Sequence, residues 1–373
     1  MTEQHLHIVA FDVPYPANYG GVIDIYYRML NLAKAGVRIH LHCFTYGRGE
    51  APELKDICHS VFYYSRDTSL KNLFKKKPYI VCSRNSKALK DRLLEDDYPI
   101  LLEGLHCTSV LEDPRFEGRN IIVRTHNIEH EYYEQLSQQE YGFLKRKYLK
   151  SESGKLKNYE NILSKATSIA AINRNDADYF LKKYPQTVLI PSNHKYDSVS
   201  SFLGMGRYIF YHANLSVPEN YVAAEWLINN VFSKTDLPVR IAGKNPPKHL
   251  KNLVARHANI ELQQNPSDEE METLLRNAHI VVMYTNQATG LKLKLLNTLF
   301  SARFCLVNSK MVAGTGLESL CEIADTSEEM LQKIRSLSKI AFMESEIEKR
   351  ELKLSDSYSN RLNVSRWIRL IEK

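Results

Sequence analysis

The chain has 373 residues, 43% of them hydrophobic and 25% charged. That balance excludes a disordered polypeptide, and the length predicts two domains, each able to bury its own core. The formal charge of +7 is mild, and no window approaches the roughly 20 apolar residues that a membrane-spanning helix needs.

The N-terminal stretch MTEQHLHIVAFDVPYP has no basic region ahead of an apolar run, so no secretory leader and a cytoplasmic location are expected. The six cysteines, Cys43, Cys58, Cys82, Cys107, Cys305 and Cys321, form no CxxC, and four sit in or beside apolar runs as reduced core thiols do. Basic residues gather in Lys71–Lys77 (KNLFKKK), in Arg84–Arg92 and in FLKRKYLK up to Lys150. Solvated helix faces account for such clusters. The sharper readings are an anionic substrate or a peripheral contact with the inner face of a membrane. No nucleic-acid module accompanies them, so no nucleic-acid partner is expected.

In chain order, LHIVAFDVP opens as a strand, and Gly20–Gly21 leads a helix with Ile25, Met29, Leu32 and Ala33 at helical spacing. Gly36 sits where a helix C′ glycine belongs. VRIHLHCF alternates Val37, Ile39, Leu41 and Cys43, which completes a βαβ unit and predicts a parallel sheet. Further strands are expected at Val61–Tyr64, Tyr79–Cys82, Ile100–Glu103, Ile121–Arg124, Ile169–Ile172 and Val188–Ile190, with one long basic helical region over Glu131–Lys165. The polar stretch 192–206 reads as a linker between a domain over 1–191 and a second over 207–354. The second series has strands in RYIFYHANL, VRIAGK, NIELQ, HIVVMY, FCLVN and CEIAD. Capping boxes at Ser216/Glu219, Ser267/Glu270 and Thr326/Glu329 punctuate it. A last helix, within 355–373, can pack back on either domain and is assigned to the N-terminal one. The fold class is therefore α/β: two Rossmann-like doubly wound domains facing a central cleft, where ligands bind just beyond the carboxyl ends of the strands.

Four segments carry candidate chemistry. In QATGLKLKLLNTLF, Leu291, Leu295 and Leu299 form the buried stripe of a helix that starts at Thr289–Gly290. Lys292 and Lys294 then fall in the first turn, where a cation opposes the helix dipole unless an anion such as a diphosphate docks there. PANYGG, Pro16–Gly21, allows close backbone approach to a phosphate or sugar, and serves equally as an ordinary turn. There is no GxGxxG and no GxxxxGK[ST]. In VRTHNIEHEYYEQL, Asn127 is read as an N-cap, and His126 projects from a strand end toward a sugar hydroxyl or phosphate. The alternatives are a structural histidine and, from His126-x-x-Glu129-His130, an HxxEH zinc site, which requires both histidines on one helical face. Lys244 in RIAGKNP follows a strand in the second series.

At these residues the chain resembles the retaining GT-B glycosyltransferases, near glycosyltransferase family 4. Gly20–Gly21, His126, Ala242-Gly243-Lys244, and Thr289-Gly290-Leu291-Lys292 through FCLVN match the family pattern. The resemblance implies that the C-terminal domain holds a nucleotide-sugar diphosphate through Asn214, Gly243, Lys244, Thr289, Gly290, Leu291, Lys292, Lys294 and Asn297. It implies that Gly20 and Gly21 approach the donor phosphate and that His126 contacts the transferred sugar as the catalytic residue. Tyr19 and Asn127 fall on the side of a glycan or lipid-linked acceptor. It further implies retention of configuration, a role in bacterial surface polysaccharide synthesis, and no metal or other cofactor. The chain departs from the family where Thr289 and Asn297 replace a pair of glutamates, and where Ala213-Asn214 and Glu219-Asn220 replace a phosphate clamp. Asn297 offers one carbonyl acceptor where a carboxylate accepts two hydrogen bonds from a ribose. Those departures leave a second reading open, a catalytically silent scaffold or sugar-nucleotide sensor.

Overall fold

In the computed structural model, which describes residues 3–140, 142–286 and 293–373, the chain divides into two units. Of the described residues, the first comprises those up to Lys195 and Tyr358–Lys373, the second 196–286 and 293–357.

The strands of the first unit are β1 (His5–Ala10), β2 (Arg38–Thr45), β3 (Ser60–Ser65), β4 (Ile100–Glu103), β5 (Ile121–Thr125), β6 (Ser168–Ala171) and β7 (Thr187–Leu189). Its helices are α1 (Gly20–Lys34), α2 (Tyr79–Cys82), α3 (Lys87–Leu93), α4 (Glu129–Gln139), α5 (Phe143–Tyr159) and α6 (Arg174–Leu181). The strands pair in parallel in the order β3-β2-β1-β4-β5-β6-β7, the doubly wound arrangement with a switch point between β1 and β4. Both faces are buried, so alternation assigns residues to two cores. Ile100, Leu102, Ile121, Val123, Ile169 and Ala171 pack on one side; Leu6, Ile8, Leu101, Ile122 and Ala170 pack on the other.

The second unit repeats the plan with β8 (Ile209–Ala213), β9 (Val239–Gly243), β10 (Ile260–Gln264), β11 (Ile280–Met283), β12 (Phe304–Val307) and β13 (Glu322–Ile323), in the order β10-β9-β8-β11-β12-β13. Its helices are α7 (Pro218–Asn230), α8 (Lys248–Val254), α9 (Asp268–Asn277), α10 (Leu293–Ser301), α11 (Ser309–Val312), α12 (Ser327–Leu337) and α13 (Glu344–Ser357). The buried Arg350 of α13 donates to Leu299 O at 3.1 Å and also to Ala302 O and Arg303 O, placing a cation at the carboxyl end of α10. The last helix, α14 (Asn360–Ile371), puts Trp367, Leu370 and Ile371 into the same core of the first unit as Ile25, Met29 and Leu32 of α1.

Several expectations need correction. Tyr79–Cys82 is helical, not a strand, because a four-residue apolar run carries no period and Pro78 sets a helix entry. The region Glu131–Lys165 breaks into α4, α5 and a 3-10 turn over Glu160–Lys165. The boxes at Ser267/Glu270 and Thr326/Glu329 form, but Ser216 does not cap α7. Its hydroxyl instead donates to Asn214 Oδ1 at 2.7 Å, and Val217 takes the cap position. Ser192 and Asn193, read as the start of a linker, are fully buried in the first unit.

Strands β1 and β2 of the first sheet carry a histidine ladder that makes stability pH-dependent. His7 Nδ1 meets His42 Nε2 at 2.9 Å, His5 Nδ1 meets His40 Nε2 at 2.9 Å, and His7 Nε2 reaches Asp96 at 2.9 Å. Burial, then the neighbouring His7, push His40 down to about 4 and His42 well below the usual range. Burial also lowers His7, against the pull of Asp96. The unfolded chain takes up protons near the ordinary histidine pKa of about 6.5, whereas the folded ladder refuses them until nearer pH 4. Stability is therefore full above about pH 6.5 and falls as pH drops through that window. A melting-temperature series from pH 7.5 to 4.5 is expected to fall by roughly 5 °C or more, less steeply in His40→Gln/His42→Gln. Parallel curves for that variant and the parent would exclude the ladder as the cause.

Candidate functional site

In the first unit the candidate residues stand on a buried charge network under the carboxyl ends of β1, β4 and β5. Strand β4 ends in Glu103, and Gly104, at φ 67°, takes the left-handed turn that follows. Glu103 Oε2 lies 2.9 Å from His126 Nε2, the first residue beyond β5, and Glu103 Oε1 accepts from Arg28. Arg28 also donates to Asp24 Oδ2 at 2.8 Å, and Arg124 Nε donates to the same oxygen at 3.0 Å. Asp24 Oδ1 accepts from the Asn193 backbone N–H at 2.8 Å and from the Ser192 hydroxyl at 3.1 Å. Both guanidiniums lie over the Trp367 ring, at 4.8 and 5.6 Å from its centroid.

Asp24, Arg28, Glu103 and Arg124 are each fully buried, and their charges cancel. Burial opposes ionisation of Asp24, but Arg124 and Arg28 outweigh it and hold the carboxyl well below the usual range. The network fixes His126 by its Nε2 and leaves Nδ1 as the nitrogen that can meet a ligand. Phe11 packs edge-on to the His126 ring at 5.5 Å, and a Cβ on Gly21 would lie 2.7 Å from the Phe11 ring. Gly21, Phe11 and His126 are thus brought together, with Tyr19 beside them donating to Asp12 Oδ2 at 2.7 Å. Helix α1 begins at Gly20, with Tyr19 as its N-cap residue.

Asn127 is not an N-cap: α4 starts at Glu129 with Ile128 in the cap position. His126 therefore precedes the helix and does not share a helical face with His130, whose Nε2 instead meets the Tyr179 hydroxyl at 2.9 Å. No group of three metal-ligating side chains is present among the described residues. Glu129 is buried; that burial, then the Asp176 carboxylate, push it up to about 7.

In the second unit, β8 and β9 end side by side, with Ala213 in register with Gly243. A Cβ on Gly243 would lie 2.0 Å from Ala213 O, so this glycine is needed for strand packing whatever else it does. Asn214 closes a local turn with Ser216 and accepts on its backbone oxygen from Asn220 Nδ2 at 2.9 Å. Lys244 is exposed after β9. His212 is buried at the end of β8, and burial, followed by the Lys294 charge, pushes it down to about 3. Lys294 and Asn297 are half-buried on α10. Glu219 of α7 accepts from the Thr285 hydroxyl after β11, tying the helix to the same end of the sheet. Thr289, Gly290, Leu291 and Lys292 lie outside the described residues. A cavity of about 530 Å³ lined by Arg207, Asp236, Arg240 and Asn259 opens at the amino ends of β8 and β9, away from the end where parallel sheets bind ligands.

The sequence reading missed Asp24, Arg28, Glu103, Arg124 and Glu129. A signal existed for most of them. Glu103 and Arg124 interrupt otherwise apolar strands, and Asp24 and Arg28 stand four apart in an apolar helix.

No protein-family model matches the chain. It is 28% identical over 346 residues to an uncharacterized 44.6 kDa protein in the cps region of Klebsiella pneumoniae, covering 87% of this chain and 88% of that one. Sucrose-phosphate synthase from Thermosynechococcus elongatus superposes with a TM-score of 0.65 at 14% identity, over 99% of this chain and 96% of that one. The UDP-forming α,α-trehalose-phosphate synthase from Burkholderia xenovorans superposes with a TM-score of 0.60 at 11% identity, over 99% and 100%. The fold is that of the GT-B glycosyltransferases, two parallel doubly wound α/β units in one chain.

Proposed function

We propose that the protein is a glycosyltransferase moving a sugar from a nucleotide-diphosphate donor to a glycan or lipid-linked acceptor with retention of configuration, in bacterial surface polysaccharide synthesis. The observation that carries this reading is His126, clamped by Glu103 on a charge-balanced buried base and set beside Gly21 at the ligand-binding end of a parallel sheet. An imidazole fixed by one nitrogen offers the other to a sugar hydroxyl with little freedom left to lose. In the second unit Lys294 supplies positive charge beside the end of β8, where a departing diphosphate gains most from it. The cps-region relative supports the polysaccharide setting, and the GT-B fold supports the reaction class.

Titration calorimetry with a panel of nucleoside diphosphates tests the donor half. Lys292→Ala or Lys294→Ala is expected to weaken binding more than tenfold in at least one case, since hydrogen bonds to charged groups contribute about 1.5–3 kcal/mol. Unchanged affinity in both variants would remove the donor site from this end of the second unit. Steady release of nucleoside diphosphate with an acceptor supports transfer. Tight binding without any turnover would favour the silent sensor, which the Asn297 replacement motivates.

A further inference from the structure

Four of the five most exposed large apolar side chains among the described residues fall in two short segments of the first unit: Phe74 at 88%, Leu144 at 80%, Phe143 at 76% and Leu70 at 73%. Leu70–Phe74 is a single 3-10 turn, followed directly by the exposed run Lys75–Lys77. Helix α5 opens with Phe143 and Leu144, and every residue from 142 to 147, including Lys145, Arg146 and Lys147, is exposed before the helix first buries a side chain at Leu149. Helix α5 links the two segments. Lys155 of α5 donates to Leu73 O at 2.9 Å, and Glu152 accepts from the Tyr79 N–H at 2.6 Å. At a rise of about 1.5 Å per residue, Phe143 stands roughly 20 Å up α5 from that contact.

Lys77 pairs with Glu112 and Lys145 with Glu140, at 2.7 and 2.6 Å. Lys75, Lys76, Arg146 and Lys147 have no carboxylate within ion-pair distance among the described residues. A cavity of about 340 Å³ lies beside the lysine run, lined by Lys75, Lys76 and Lys77 together with Val81, Cys82 and Glu112, and its surface is mostly apolar.

We propose that these two segments dock on an anionic lipid surface, with Phe74, Leu70, Phe143 and Leu144 entering the head-group boundary and the flanking lysines meeting lipid phosphates. Two kinds of exposed group have to be accounted for together. Apolar side chains held out in water gain only from an apolar phase, and unpaired cations gain only from fixed anions; a bilayer of acidic lipids offers both within a few ångströms. A second copy of the chain would set lysines against lysines. The proposal does not rest on the sugar-transfer reading.

Co-sedimentation of the full chain with vesicles tests it, comparing neutral phosphatidylcholine with the same lipid carrying one-third phosphatidylglycerol. Binding is expected only to the anionic vesicles and is expected to weaken with salt. Each lysine near such a surface is worth about fivefold in affinity, so Lys75→Glu/Lys76→Glu is expected to lose roughly 25-fold or more. Phe74→Ser/Leu144→Ser is expected to lose at least about tenfold, through the apolar contribution alone. All four positions are exposed, so melting temperatures should not change. Equal binding to both vesicles, no binding to either, or parental binding by both variants overturns the proposal. So does a tighter complex with single-stranded DNA than with anionic vesicles, which would assign these segments to nucleic acid.

Discussion

Arg124→Met is expected to destabilise the first unit by about 3–5 kcal/mol, the cost of leaving a buried carboxylate without its partner. In the native protein Asp24 shares one oxygen between Arg28 and Arg124, and Glu103 takes the other face of Arg28. Removing Arg124 leaves two buried carboxylates and one guanidinium, with no water to screen the excess. The unit must then protonate a carboxyl or open. Guanidinium unfolding in a Trp226→Phe background, followed by the fluorescence of the remaining Trp367 beneath the two arginines, reads the effect at its source. The double variant Asp24→Asn/Arg124→Met restores neutrality and is expected to recover part of the loss, because the penalty comes from imbalance more than from the lost contact. A change under about 0.5 kcal/mol in the single variant, as at an ordinary surface position, would mean that the network is not holding the unit together.

His126→Asn is expected to lower kcat by roughly 10²–10³, the usual cost of losing one positioned polar contact to the reacting group. Asparagine keeps a polar group at the strand end but cannot both donate to the Glu103 carboxylate and reach outward as the imidazole does. Nucleoside-diphosphate affinity should stay within about twofold, since the role assigned to His126 is contact with the transferred sugar, and the lysines assigned to the diphosphate belong to the second unit. Loss of turnover with retained nucleotide binding is the pattern that separates a sugar-contacting histidine from one that merely supports the fold. Retained turnover in His126→Asn would withdraw the catalytic role, and a parallel loss of melting temperature would make His126 structural.

The two predictions share a physical origin, and it was only partly legible in the chain. His126 could be found because it follows an apolar strand directly, and the carboxyl ends of parallel strands are where such sheets bind ligands. Its anchor could not. A glutamate closing an apolar strand hints at a buried charge, but Glu103 lies 23 residues upstream of His126, and nothing local says which group it pairs with. The same holds for Asp24 and Arg124, which meet across 100 residues. Asn127 was misjudged for a related reason: a side chain suited to capping was placed one residue too early, and Ile128 took the position.

By itself the sequence determined the alternation. Period-two burial in the strands, helical stripes between them and two capping boxes are local properties, and they specify two parallel α/β series with little help from elsewhere. Only the tertiary structure decided which charges are buried and how they are balanced. It turned Tyr79–Cys82 into a helix, Ser192 and Asn193 into partners of Asp24, and Trp367, 243 residues after Arg124 (367 − 124), into the floor beneath two arginines. A charge can enter a core only when its partners arrive together, and that pairing is a property of the folded whole that no short window of sequence contains.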